Sequence, residues 1–223
     1  MSRLLFMALM AFGISNLSAQ GIDKDLLAVK ARLDSIEQYQ ASLSLDIDAS
    51  FIKMPTKYAE MNYRKREPVS FTSDDFLLIP KRGLDVMLNQ LFEHPFITVD
   101  RGMEEKYGGI FKVLTVIPEN DKTYYTIAKL FLDTANNRIS AAEISTKNEG
   151  NFRMQMDYKD SESILPDRLV IIFELQRLRI PFNFLGKDTE INRKELRASE
   201  VKEGRILLQF DDYRITRAPV SKT

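Results

Sequence analysis

The polar and apolar positions of the chain change period near residue 42. Before it, Ile22, Leu26, Val29, Leu33 and Ile36 step by four, three, four and three, which puts them on one stripe of a helix. Asp23, Lys24, Lys30, Asp34 and Glu37 fall on the other sides. After it, Leu43, Leu45, Ile47, Ala49 and Phe51 alternate with Ser42, Ser44, Asp46, Asp48 and Ser50. The pattern predicts an amphipathic helix followed by a long strand with one buried and one wet face.

Strands recur to the end of the chain. They are predicted near 57–63, 68–73, 76–80, 96–101, 110–118, 123–132, 138–147, 152–158, 167–175 and 205–215. The connectors carry turn chemistry: Asp74-Asp75, Gly108-Gly109, Glu119-Asn120-Asp121, Asp133 to Asn137, Asn148 to Asn151, and Glu203-Gly204. Short links make successive strands antiparallel neighbours. Phe152, Met154, Met156 and Tyr158 alternate with Arg153, Gln155 and Asp157, so these even positions and the odd positions from Leu43 to Phe51 should face the same interior. Phe111 to Ile117 is apolar on both faces and is expected mid-sheet under a covering layer. Two further helices are expected as cover: Leu84 to Phe92, begun after Gly83 and stopped by Pro95, and Thr189 to Ser199 with Ile191 and Leu196 as its apolar contacts. The fold class that follows is mainly β (α+β). Its core is a large curled antiparallel sheet or incomplete β-barrel, with two or three helices on its concave face.

One segment stands apart from this pattern. Arg3, the apolar run Leu4 to Ile14, and Asn16-Leu17-Ser18-Ala19 have the order of a secretory signal peptide, with cleavage expected after Ala19. The division is a leader over 1–19 and one domain over 20–223. The apolar run is too short to span a membrane. The sequence has no cysteine, so an exported form has neither disulfides nor a cysteine to carry a lipid, which favours a Gram-negative periplasm.

Charge says little about partners. The leader contains only Arg3, so 31 basic residues face 32 acidic ones in the remainder, and no general pull on nucleic acid is expected. Catalytic chemistry is sparse. The single His94 beside Pro95 reads as structural, and with no cysteine a zinc site would need mostly carboxylates. No Ser nucleophile elbow or phosphate loop appears. Carboxylate pairs are the one open route to a hydrolase. Asp46 and Asp48 share the wet face of their strand, while Asp74-Asp75 and Asp211-Asp212 are adjacent and point apart. Arg64-Lys65-Arg66 reads as a hairpin turn and Arg193-Lys194 with Arg197 as the wet side of a helix; either could also meet an acidic partner. No catalytic residue, metal ligand or cofactor is assigned.

A hydrophobic cavity is the sharper possibility. Met54, Met61, Met87, Met103, Met154 and Met156 are flexible gap-fillers suited either to an ordinary core or to varied apolar ligands. A large curled sheet over thin helices can enclose such a space.

The order of leader, amphipathic helix, long alternating strand and antiparallel meander resembles the periplasmic lipoprotein carriers of the LolA type (LolA/LolB-like). It is most similar to the outer-membrane lipoprotein-sorting proteins of Bacteroidetes. The resemblance is carried by Phe51-Ile52-Lys53-Met54-Pro55-Thr56-Lys57-Tyr58, by Thr72 through Asp74-Asp75 to Pro80, and by Leu132-Asp133 through Gly150-Asn151 to Tyr158. It implies an open barrel with a helical lid whose interior takes lipoprotein acyl chains or another lipid. An inner-membrane donor would load it and an outer-membrane acceptor would unload it, with no catalysis and no cofactor, in a monomer. The lining expected on this reading is Leu43, Leu45, Ile47, Phe51, Met61, Leu88, Leu91, Phe92, Met154 and Met156, with Leu84 to Phe92 as the lid. One departure is Met54, where the family often has an Arg that ties the lid shut. The segment 179–190 has no counterpart in the family. A hydrophobic-ligand binding or sensor module on the same fold is the alternative.

Overall fold

The computed structural model describes residues 21–49, 51–73, 91–148, 150–174, 189–192, 194 and 203–218. The leader, the strand expected at 76–80, the helix positions Leu84 to Gln90 and most of the second expected helix lie outside them.

A helix, α1 (Lys24–Asp34), opens the described chain. Asp23 caps it, its side chain accepting from the Asp25 amide at 2.9 Å, and Asp25 and Arg32 sit at the ends that suit the helix dipole. Leu26 and Val29 are its buried residues. Ile22 precedes the helix and is exposed, and Ile36 is buried but belongs to the following strand. The helical period thus overruns the element at both ends.

Among the described residues twelve strands follow: β1 (Ile36–Asp48), β2 (Ile52–Lys53), β3 (Lys57–Arg64), β4 (Ser70–Thr72), β5 (Phe96–Lys106), β6 (Gly109–Pro118), β7 (Tyr125–Asp133), β8 (Arg138–Thr146), β9 (Asn151–Asp157), β10 (Arg168–Glu174), β11 (Glu190–Ile191) and β12 (Glu203–Arg217). Ten form one sheet in the order β4-β3-β1-β12-β10-β9-β8-β7-β6-β5, which ends in two edges. Every strand pairing among the described residues is antiparallel, as short connections require. The β5–β6 hairpin turns on Tyr107 (φ 52°) and Gly108 (φ 78°), two left-handed residues in succession, the geometry that matches strand twist.

The register carries an apolar row across seven strands. Leu114 pairs with Leu130, Leu130 with Ala142, Ala142 with Met154, Met154 with Ile171, Ile171 with Ile206, and Ile206 with Ile47. Leu43, Leu45, Met154 and Met156 therefore share one inner face, as the period-two pattern requires, and all belong to the main core with Leu26 and Val29 of α1. Asp48 is exposed on the opposite face.

Three expectations are corrected. β6 is one strand in from the edge, not mid-sheet. Its second buried face comes from a separate outer cluster in which Val113, Phe131 and Ala141 pack with Tyr107 and Phe111. Glu190–Ile191 forms a short ladder with Ile52–Lys53, so no helix begins at Thr189. Leu91 and Phe92 lie in a turn where the end of a helix was expected.

Candidate functional site

The inner face is roofed by α1, which is tied down at both ends. At its start the Asp23 amide donates to Thr98 Oγ1 of β5 at 2.8 Å. Lys112 Nζ of β6 donates to Asp23 at 2.8 Å and Asp25 at 2.6 Å, with Asp100 at 3.4 Å. Burial alone would raise the Asp23 carboxyl and lower the Lys112 ammonium, but their salt bridge outweighs it; Asp23 lies below and Lys112 above its ordinary value. At its end Arg32 donates to the Asn136 carbonyl in the β7–β8 turn. It also donates to the carbonyls of Ser161, Glu162 and Ser163 at 3.2, 2.9 and 3.2 Å in the β9–β10 connection. Beside this end lies an open polar groove of about 310 Å³.

Phe92 packs against the core beside α1, with the Lys30 ammonium 5.7 Å from its ring and Phe96 6.0 Å away. Leu91, 5% exposed, closes a cavity whose walls include Tyr124, Tyr125, Leu130, Ile144, Met154 and Met156. That cavity measures about 10 Å³, room for about one water. Ligand pockets run to about 300–1,000 Å³. Among the described residues the interior is apolar as the pattern implied, and at this cavity it is filled rather than open.

The expected lining residues fall into four groups. Leu43, Leu45, Met61, Leu91, Met154 and Met156 are buried in the main core, and only the last three border the cavity. Ile47 and Phe92 pack against that core half-buried. Phe51 sits instead in a small cluster with Ala49 and Ile52 at the chain's corner. Leu88 lies outside the described residues. Met103, offered as a gap-filler, is 62% exposed.

At the departure from the family pattern, Met54 packs against both the main core and the corner cluster. The corner is held by backbone instead: the Asn192 amide donates to Phe51 O at 2.9 Å beside the β2–β11 ladder. Part of the segment without a family counterpart thus supplies a contact there.

Pattern reading missed Tyr125. It is 1% exposed, and its hydroxyl is one of two buried side-chain atoms without a hydrogen-bond partner among the described residues, the other being Asp167 Oδ1. Desolvation pushes its pKa to about 12, so the group stays neutral in ordinary solution. A buried hydroxyl left unpaired costs about 1–3 kcal/mol.

Of the candidate carboxylate pairs, Asp74-Asp75 lies outside the described residues and the other two are surface groups. Asp46 accepts from Thr56 Oγ1 at 2.6 Å on the outer side of β1, and Asp211 and Asp212 are exposed. Among the described residues no group of three or more His, Cys, Asp or Glu is placed to hold a metal ion, and no helix is long and apolar enough to cross a membrane.

Solved structures place this architecture. A DUF1329 family protein from Desulfovibrio piger aligns at 9% identity and TM-score 0.53, over 89% of this chain and 92% of its own. A domain from Vibrio parahaemolyticus named for outer membrane lipoprotein sorting aligns at 11% identity and TM-score 0.51, over 88% and 94%. The fold is LolA-like. A LolA superfamily protein from Nitrosomonas europaea also aligns, at 11% identity and TM-score 0.49, over 87% and 94%. No family model matches the sequence, and no curated protein does.

Proposed function

We propose that the protein is a periplasmic carrier that binds lipoprotein acyl chains, or another lipid, against the inner face of its sheet and delivers them to the outer membrane. On this reading residues 1–19 are removed on export and 20–223 form one monomeric, non-enzymatic domain. An inner-membrane donor loads it and an outer-membrane acceptor unloads it. The observation that carries the reading is the apolar row across seven strands under the 11-residue helix α1, which is tied at both ends. Such a roof can lift without unfolding the sheet. The LolA-like fold supports it, as does the Vibrio neighbour's name.

The filled interior makes this the closed state. A guest must displace Leu91, Phe92 and the apolar side of α1, exchanging protein contacts for its own. Leu43, Leu45, Ile47, Met61, Met154 and Met156 then become its walls; Phe51 and Leu88 are retained in the lining as part of the proposal.

Native mass spectrometry of protein purified from its own host tests the reading, with a co-purified acylated species expected. Incubating that complex with outer-membrane vesicles should move the lipid to the vesicles. Retention of the lipid would leave a binding module in place of a carrier, and absence of any bound acyl species together with no uptake of added lipid would overturn both.

A further inference from the structure

The inner wall contains one polar atom that folding leaves unused. Phenylalanine at position 125 would fill the same space without burying an unpaired hydroxyl. The tyrosine is also held in place. Thr123, itself buried, donates its hydroxyl to Tyr125 O at 2.9 Å, and the Tyr124 ring stands 5.5 Å away edge-on. Among the described residues, none that lines the cavity with Tyr125 carries a charge. A carboxylate or phosphate buried there would lack a cation and meet a heavy desolvation penalty. A neutral donor among hydrocarbon walls suits a neutral acceptor that has hydrocarbon attached.

We propose that the Tyr125 hydroxyl is the specificity contact of the lipid site, donating a hydrogen bond to an acyl ester carbonyl of the guest. The inference rests on the carrier reading and adds the chemistry the guest must present. The hydroxyl is unpaired in the closed state and paired in the loaded one, so its hydrogen bond favours loading only for ester-bearing lipids. The ester can belong to a lipoprotein's diacylglyceryl group or to a free glycerolipid.

The test compares 1-monomyristoylglycerol with 1-O-tetradecylglycerol, its ether counterpart without the carbonyl, as competitors for the neutral reporter N-phenyl-1-naphthylamine. The full chain should bind the ester about 3- to 10-fold more tightly, as one net hydrogen bond allows. Tyr125→Phe should erase that preference and melt at the same or a higher temperature. A diacylated cysteinyl lipopeptide and free diacylglycerol, run as further competitors, identify the source: sensitivity of either one to Tyr125→Phe supports the inference and names its ligand. Equal binding of ester and ether by the unmodified protein, or a preference that survives Tyr125→Phe, overturns the assignment while the carrier reading stands. Failure of the reporter and of every lipid to bind overturns both.

Discussion

The two ends of α1 are held by different physics. The start is an ion cluster: Lys112 is 13% exposed and meets Asp23 and Asp25, which are 15% and 27% exposed. The end is a single guanidinium spread over four neutral carbonyls, with no carboxylate touching it among the described residues. The first tie titrates directly. The second is reached by acid only at one remove, through Asp133, which accepts from Asn136, and Asp160, which accepts from Ser163. Between them, two fully buried side chains hold the middle. A helix this short owes its order to its contacts, so the ties decide where the roof opens and the middle decides how readily it stays open.

The largest expected effect breaks the middle. Leu26 is fully buried in the core shared by helix and sheet. Leu26→Ala should lower unfolding stability by about 2–5 kcal/mol in urea titrations, through lost burial and the cavity left behind. Reporter uptake should rise at the same time. A loss in the upper half of that range without higher uptake would mean that α1 is core and not a roof.

Lys112→Met should cost less, about 1–3 kcal/mol, because it leaves two partly buried carboxylates facing each other without their cation. Restoring neutrality with Asp23→Asn and Asp25→Asn in the same chain should recover part of it. If the triple change is as unstable as the single one, the cluster is packing and not charge.

Acid sharpens the contrast between the ends. The Asp23 carboxyl titrates below its ordinary value of 3.8, so its contribution is present above that value and is lost as pH falls through the lower, folded one. Amide exchange measured while lowering pH through and below that range should rise first near Ala28 and Val29, and later near Leu33 and Asp34. Asp133 and Glu143 are likewise held low, so global stability also declines on the acid side and the local order of opening is the informative readout. Simultaneous exposure of both ends would remove the distinction drawn between them.

Which parts of this were legible in the sequence follows from the range of the interactions. Period two identified the inner face of β1 and β9 because alternation is a local property, visible in Leu43, Leu45, Met154 and Met156 alone. Tyr125 was hidden by a local irregularity. The register shifts between Tyr125 and Ile127, which leaves Ile127 41% exposed and breaks the alternation that would have marked Tyr125 as inward. The ties of α1 could not be read at all. Lys112 stands 89 positions from Asp23 and Arg32 stands 104 from Asn136, and no pattern of residue types links such pairs before the strands are ordered. The start of the helix expected at Thr189 was misplaced for a similar reason: Glu190 and Ile191 pair with a strand far earlier in the chain, and a helical residue is described only from Lys194.

The smallest effect is a control on the comparison. Lys30 and Asp34 form an i,i+4 pair on the solvent side of α1, with 38% and 51% of their side chains exposed. Screening and side-chain entropy leave such a pair worth about 0.3–0.5 kcal/mol. Asp34→Asn should therefore shift the urea midpoint only slightly and leave the exchange order of the two ends unchanged. The Lys30 ammonium keeps its place near the Phe92 ring, so the segment beside the helix is undisturbed. A shift as large as that of Lys112→Met would show that α1 is limited by its own helical propensity. The ties to β5, β6 and the two turns would then follow the helix rather than hold it.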